Sequence, residues 1–545
     1  MMTNDSGAIL DAWAAWEGGI DCHESRRSWT AGELRSEAER LKSDLAAAGV
    51  KPGVLVALVL SNTAVFPVAL VASLSLGAHP VLLSAGTPAA ALRRIVERCG
   101  IGWAIHDFLG PNSTLEPDAY RRVATFSSAG IDVALLDTGD ADVLADPMLG
   151  GNAVVLHPTS GTYGHASFCV RNQDVAVAEA RNFLDRIVPY RDVRVRVTTP
   201  LSHAYAYGFG LVASLLSHST LVLDSHFNPR RLLESERRRP SDIVALVPPA
   251  ARLLAGLCTP DLDGGFAPLA FFAGAPCPVA VKAAFEEAFD TRLFAIYGST
   301  ETGGIATSYV DEGSEPLGVG RPLPGVDVSI GRTGEFASLG AGTGEVTVRS
   351  TSMMQGYWRA DTRWVSPGAF ATGDVGREVD GSLTLVGRAR EIINVGGFKV
   401  DPAEVEVVLL EHPAVVDVAV YPGERPEGGE FVQGAVQLRD PAPDMEALRG
   451  HCLERLEETK DDEQLLNIGM LKAANLGSGS SFSEIGPQEV QDFLNRVKAQ
   501  EWPAQDPWLE KPGSGNAAER VGDALSMVVA AGKDWKGELI WPDEA

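Results

Sequence analysis

Positive charge is scarce in this chain of 545 residues: 46 Lys and Arg stand against 72 Asp and Glu, a formal net charge of −26. That balance argues against a nucleic-acid binder, which would carry a basic face, and disfavours docking on anionic membranes. It does not exclude a small phosphorylated ligand, because local donors can oppose the global field. Cysteine is sparse as well. Cys22, Cys99, Cys169, Cys258, Cys277 and Cys452 are scattered without paired spacing. This suits free thiols in a reducing compartment better than a disulfide framework or a zinc site, so the cytoplasm is the expected location. The first residues, Met-Met-Thr-Asn-Asp-Ser, lack a basic region followed by an apolar one, and no secretory leader is expected. Long apolar runs are missing too. The longest, Ala64–Ala78, contains Pro67 and is too short to span a bilayer, so it reads as a buried helix. No internal repeat is visible.

Apolar content of 45% and charged content of 22% are ordinary for a globular protein, and the length allows two or more domains. Apolar positions recurring at Leu34, Ala38, Leu41 and Leu45 predict a helix over Trp29–Gly49. Val54–Leu60 and Pro80–Leu83 read as strands separated by a helix, an order that predicts a parallel sheet with helices on its faces. The same alternation returns at Val193–Thr199, Gly208–Leu216, Ser219–Leu223 and Ile243–Val247. From about Gly318 the glycines multiply, and Gly344–Arg349 and Ser382–Val386 read as antiparallel pieces. Beyond a boundary near Gly387–Arg390, a small α/β unit is expected. It has a helix at Pro402–Leu410, a strand at Val415–Tyr421, a loop at Gly423–Gly429, a strand at Gln433–Leu438 and a helix at Met445–Leu456. After Glu457, charged, Gly/Ser-rich and Pro/Gly-rich stretches read as linkers around short helices such as Pro487–Lys498.

Two segments carry most of the chemistry. Thr159-Ser-Gly-Thr-Tyr-Gly164 follows the apolar run Ala153–Leu156; its small residues let backbone N–H groups crowd a phosphate, and its hydroxyls add donors. Tyr297-Gly-Ser-Thr-Glu301 places an aromatic ring, hydroxyls and a carboxylate within one short stretch. Such a set can stack on a base, touch a phosphate and hold a hard cation.

With these in place, the chain resembles the adenylate-forming superfamily of acyl-CoA synthetases, aryl-acid ligases, adenylation domains and luciferases. The likeness covers roughly residues 25–456, with its elements in the family's order. They are Thr159–Gly164, Pro200-Leu-Ser-His-Ala-Tyr205, Gly274-Ala-Pro276, Tyr297–Thr302, Gly356-Tyr-Trp358, Thr372-Gly-Asp374, Gly387-Arg388 and Gly396–Glu406. The resemblance implies an α/β fold: a large N-terminal domain of α/β sheets with a small β-barrel-like subdomain (1–387), a small mobile α+β cap (388–456), and an atypical tail (457–545). It implies that a carboxylic acid attacks the α-phosphate of ATP, that pyrophosphate leaves, and that a thiol takes the acyl group from the adenylate.

The resemblance also assigns roles. Thr159, Ser160, Gly161, Thr162 and Gly164 are expected to wrap the β- and γ-phosphates; taken alone, the segment reads equally as an ordinary strand-to-helix turn. Gly274, Ala275 and Pro276 are expected along adenine with Tyr297 on its face, Gly298 and Ser299 beside the nucleotide, and Thr300 at the α-phosphate. Glu301 is expected to hold Mg2+, Asp374 to accept both ribose hydroxyls, and Arg388 to lie near the ribose. His203 either orients the carboxylate and gates the pocket or is a satisfied structural histidine. Tyr205, Tyr207, Phe271 and Phe272 either line an aromatic acyl pocket or belong to the core. Lys399, after a glycine pair, is expected where CoA or phosphopantetheine enters. No aspartate stands near Ser202 to pair with an amino group, so an α-amino acid is disfavoured.

Three departures stand against this pattern. His165 and Ser167 occupy positions where the family usually has lysines, with Arg171 a candidate substitute. Arg390 stands at the hinge, where Asp or Lys is usual. The family's late Ser-Gly-Lys segment has no counterpart before Lys511-Pro-Gly-Ser-Gly-Asn516, where Asn516 takes the lysine's place; Lys460, Lys472, Lys533 and Lys536 are unsupported alternatives. Losing an ammonium beside developing negative charge removes electrostatic stabilisation. Two functions follow. The first is an AMP-forming acid–thiol ligase acting on an aryl or other non-amino acid, with CoA or an acyl or peptidyl carrier protein as acceptor. The second is an adenylation-impaired homologue that binds or transfers acyl groups, or a ligase with an unusual acid or nucleophile.

Overall fold

The computed structural model describes residues 8–22, 27–87, 89–109, 120–139, 153–159, 167–187, 190–258, 266–309, 318–331, 336, 339, 341–358, 368–389, 392–395, 398–400, 402–424, 430–438, 447–448, 451–452 and 470–473. Ser160–Gly164, His165, Arg390, Gly396–Gly397, most of the expected helix at 445–456, and the tail apart from 470–473 lie outside them. The chain forms two compact units. One holds residues 1–329, 347–372 and 378–384; the other holds 330–346, 373–377 and 385–545.

The first unit is mixed α/β, as the alternating pattern predicts. Its eight-stranded sheet contains Leu55–Leu60 paired in parallel with His79–Ser84 and Trp103–His106. All six residues of Leu55–Leu60 are buried, because helices cover both faces of a parallel sheet and leave no polar side to alternate with. Val65–Ser75 is the buried helix expected from the long apolar run. Pro67 falls in its first turn, where a missing N–H leaves no bond unmade.

Part of a 13-stranded sheet runs in the spatial order Gly318–Pro322, Gly303–Thr307, Leu293–Ser299, Leu269–Phe272, Ile243–Leu246, Arg194–Val197, Thr220–Leu223, Gly19–Cys22 and Arg27–Thr30. The stretch from Leu293–Ser299 to Gly19–Cys22 is parallel, and both ends turn antiparallel.

Several boundaries differ from expectation. The first long helix spans Ala31–Ala47, and Trp29 belongs to the edge strand before it. Thr30 sets the start: its hydroxyl accepts from Glu33 N–H at 3.3 Å while its own N–H donates to Glu33 Oε2 at 2.8 Å, a capping box that outweighs apolar spacing. The stretch after His203 begins as a π-helical segment, Ala206–Val212, and becomes α-helical only at Ala213–Leu216.

In the second unit, Pro402–Leu410 is helical, and Val415–Glu424 pairs antiparallel with Glu430–Leu438. The first strand runs into the expected loop as far as Glu424, and the second starts at Glu430 rather than Gln433. Met470–Ala473, expected among linkers, pairs in parallel with Gly434–Gln437. Four residues carry too little pattern to announce a strand whose partner is remote in sequence. The core of this unit is aliphatic: Ile393, Val400, Val405, Leu409, Val432, Val436 and Leu448 pack together.

Burial also sets an acid limit on the first unit. The imidazoles of His79 and His106 accept backbone N–H bonds from Val154 at 3.1 Å and Phe108 at 2.8 Å. Loss of hydration pulls both pKa values down to about 4, with Arg122 a further cause at His106. An unfolded chain binds a proton at each below about pH 6.5, whereas the folded chain does not until about pH 4. Each histidine therefore costs stability as pH falls through that window, up to roughly 3 kcal/mol apiece. Thermal midpoints measured across it should fall for the unsubstituted chain and fall less for His79→Gln.

Candidate active site

Two paired strands flank the hydroxyl–glycine segment. Val155–Pro158 pairs antiparallel with Phe168–Arg171, and Thr159 N–H donates to Ser167 C=O at 2.9 Å, closing the base of the loop. The segment is thus flanked by two strands, with the helix Gln173–Arg186 starting only afterwards. This replaces the strand-to-helix alternative.

The outgoing strand does more than close the loop. It pairs antiparallel with Gly356–Tyr357, flanked by bonds from Gln355 N–H to Val170 C=O at 2.8 Å and from Trp358 N–H to Phe168 C=O at 2.7 Å. That pairing aims Tyr357 at Glu301: the phenol donates to Glu301 Oε1 at 2.8 Å. Glu301 C=O accepts from Met354 N–H at 2.7 Å. Burial first, then the adjacent Glu301 carboxylate, pushes the Tyr357 pKa above its ordinary value, so the phenol stays a donor.

Tyr297, Gly298 and Ser299 end the strand Leu293–Ser299, where the register with Gly303–Thr307 shifts between Tyr297 and Gly298. A methyl group on Gly298 would lie 2.6 Å from Gly303 C=O, so the close approach demands glycine. Thr300 and Glu301 form the turn. Ser299 and Thr302 hydroxyls meet at 3.0 Å, and Thr302 N–H donates to Ser299 Oγ at 3.2 Å. Tyr297 is buried, while Thr300 and Glu301 are half-buried. Gly274, Ala275 and Pro276 are exposed just past the strand Leu269–Phe272, with Gly274 at φ +90°.

His203 follows a turn held from a distance: Asn62 Oδ1 accepts from Leu201 N–H and Asn62 Nδ2 donates to Thr199 C=O, both at 2.7 Å. His203 is exposed at its surface, yet the surrounding protein thins its hydration and lowers its pKa. Tyr207 and Phe271 are wholly buried and Phe272 nearly so, which places them in the core. Tyr205 is half-buried, stacks on Phe209 with centroids 5.5 Å apart, and donates to Phe271 C=O at 3.4 Å.

In the second unit, Asp374 and Arg388 form an ion pair at 3.1 Å, with Asp374 buried and Arg388 exposed. Gly373 at φ +77° turns the chain there, and its C=O accepts from Ala389 N–H at 2.8 Å. Lys399 lies in the short strand Phe398–Val400, opposite Asn394 of Ile393–Val395.

Two family models match the chain on either side of Asp374, Arg388 and Lys399. One, described as AMP-binding enzyme, matches residues 10–358; the other, AMP-binding enzyme C-terminal domain, matches 404–465. The first alone spans more than half the chain. This protein belongs to the AMP-binding enzyme family. It is 30% identical over 457 residues to a 2-succinylbenzoate–CoA ligase of Geobacillus kaustophilus, covering 81% of this chain and 89% of that one. It is 28% identical to 4-coumarate–CoA ligase-like 9 of Oryza sativa, with 88% and 90% covered. Among solved structures, the amide bond synthetase McbA of Marinactinospora thermotolerans matches with a TM-score of 0.65 at 26% identity, covering 83% of this chain and 93% of that one. ATP-bound MatB of Rhodopseudomonas palustris shares the fold, with a TM-score of 0.70 at 19% identity and coverage of 89% and 99%.

For an AMP-binding enzyme, one sequence expectation is overturned. Arg171 is no substitute for a phosphate-loop lysine: it is 0% exposed, and its Nη2 meets Glu179 Oε2 at 2.6 Å. A guanidinium at the end of a buried strand must find its counter-charge inside, and Glu179, eight residues on, supplies it. Sequence reading also missed Tyr357 and Asn62 as partners of Glu301 and of the His203 turn. Gly356-Tyr-Trp358 was visible as a motif, but nothing in its spacing points at Glu301. No helix among the described residues is long and apolar enough to cross a membrane.

Among the described residues no group of three His, Cys, Asp or Glu forms a metal cage. A single oriented carboxylate, Glu301, fits Mg2+, which prefers one or two carboxylates with substrate phosphates and water over an all-protein cage.

Proposed function

We propose that this AMP-binding enzyme joins a carboxylic acid to AMP at the expense of ATP, then passes the acyl group to a thiol of CoA or a phosphopantetheine carrier. One observation carries the reading: Glu301, placed by Tyr357, sits on a strand-end turn beside Tyr297 and Thr300, and Tyr357 belongs to the strand paired to the outgoing edge of the hydroxyl–glycine loop. Aromatic ring, hydroxyl and carboxylate are thereby tied to the segment richest in phosphate donors.

The roles follow from the chemistry. Displacement at the α-phosphate crowds negative charge and needs donors and a cation more than covalent help. Mg2+ at Glu301 supplies charge neutralisation. Thr300 donates to the α-phosphate, Thr159–Gly164 surround the departing pyrophosphate, and Tyr297 covers adenine. Asp374 accepts from the ribose hydroxyls, and its ion pair with Arg388 orients it. His203 stands on the acyl side, and the segment around Lys399 serves thiol entry. The named activities of the relatives, ligation of 2-succinylbenzoate to CoA among them, support an organic acid without an α-amino group.

The test is acid-dependent pyrophosphate release with ATP and Mg2+ over a panel of aryl and aliphatic acids, followed by mass spectrometry with CoA, a pantetheinylated carrier or simple amines as acceptor. Acid-dependent release and a thioester are expected. No release with any acid overturns the reading. Release followed by amide formation alone keeps the first step and replaces the second, as the neighbouring amide bond synthetase would suggest.

A further inference from the structure

Glu179 is buried in the helix Gln173–Arg186, where composition would expect a solvent-facing acid. Three separate segments close on it. From the strand leaving the hydroxyl–glycine loop, Arg171 Nη2 donates to Glu179 Oε2 at 2.6 Å. From the strand just past Glu301, Gly304 N–H donates to Glu179 Oε1 at 3.1 Å. From the π-helical stretch after His203, Gly208 packs so closely that a methyl group there would fall 2.5 Å from the carboxylate. Gly303, at φ +72°, leaves only 3.0 Å on its side.

A second route runs in parallel. Arg171 Nη2 also approaches Ser352 C=O at 3.5 Å, and Ser352 Oγ donates to Thr302 C=O at 2.8 Å, next to Glu301. Arg171 begins both of these paths and Glu179 is the middle of the first, beside the separate tie that Tyr357 makes from the same outgoing strand to Glu301. The pair joins a rigid strand to a turn whose geometry depends on two glycines without side chains.

We propose that Arg171 and Glu179 are positioning residues: their buried ion pair fixes the strand Phe168–Arg171 against the Thr300–Glu301 turn, and ATP binding depends on that register. This rests on the nucleotide reading above and adds to it a requirement peculiar to the phosphates. Neither residue touches the nucleotide. Adenosine, which lacks phosphates, does not depend on that register, whereas ATP does.

Two variants separate positioning from folding. Glu179→Gln keeps the shape and the bond from Gly304 but removes the charge. Arg171→Met combined with Glu179→Leu replaces the pair by apolar groups of similar volume, an exchange that buried ion pairs often tolerate in stability. The measurement is calorimetric affinity for Mg-ATP and for adenosine, with the thermal midpoint of each variant. The expected result is ATP affinity weakened about tenfold or more, as for other residues that orient a binding group, with adenosine affinity unchanged. An unchanged ATP affinity, or equal weakening toward adenosine, overturns the proposal while leaving the nucleotide reading standing. An unsubstituted chain that binds neither ligand overturns both.

Discussion

Glu301→Gln lowers acid-dependent pyrophosphate release by about 100-fold, the scale on which losing an oriented metal-binding carboxylate acts. Gln keeps the volume and an acceptor oxygen, so the turn that Met354 and the Ser299–Thr302 hydroxyls build survives. What disappears is the charge that, on the proposed function, would draw a hard cation to the phosphates. Tyr357→Phe removes only the donor holding Glu301 Oε1, and its effect is smaller, about tenfold. The Tyr357 pKa lies above its ordinary value, so the phenol keeps its proton throughout the assay range. The ratio of wild-type to Tyr357→Phe rates is therefore flat from about pH 6 to about pH 9. Rates for both variants equal to wild type, or a ratio that collapses toward high pH within that range, would show that the Tyr357–Glu301 contact plays no part in adenylation.

Arg196→Ala gives the largest loss of stability, about 3–5 kcal/mol. Arg196 is 0% exposed in the strand Arg194–Val197. It donates to Glu236 Oε1 at 2.5 Å and to Ser235 Oγ at 2.6 Å, and pairs with Asp224. Glu236 in turn accepts from Ser241 N–H at 2.7 Å. Truncating Arg196 strands a buried carboxylate with no cation to face, and that uncompensated charge, more than the lost bonds, sets the cost. Exchanging both ions, as Arg196→Met with Glu236→Leu, removes the stranded charge and should recover most of the loss. Chemical unfolding monitored by fluorescence measures both. A single variant as stable as wild type would show that water reaches Glu236 readily and that the network contributes little.

The chain announced its local structure well. The apolar run at Leu55–Leu60, the helix pattern through Leu34, Ala38, Leu41 and Leu45, and the small-residue segments at Thr159 and Tyr297 are short-range signals, written within a few turns or one strand. So is Asp374: a carboxylate after a glycine marks a turn, and its ion pair with Arg388, fourteen positions on, joins two residues that family resemblance had sent to the same ribose.

Arg171 shows where that legibility ended. Seven residues past Gly164, an arginine reads as a phosphate contact, because charge is ordinarily spent on ligands or solvent. Only the packing of two strands and two helical segments around the Arg171–Glu179 pair shows that the charge is consumed internally. Asn62 and Leu201 meet across 139 positions, and Tyr357 and Glu301 across 56. A single sequence records side-chain chemistry and local period. It does not record which remote backbone will stand 3 Å away, because that distance follows from how sheets and helices close on one another. Short-range pattern is enough to read most strands and helices and the kinds of chemistry present, whereas which charged groups face a neighbour and which remain to face a substrate follows from packing between segments remote in the chain.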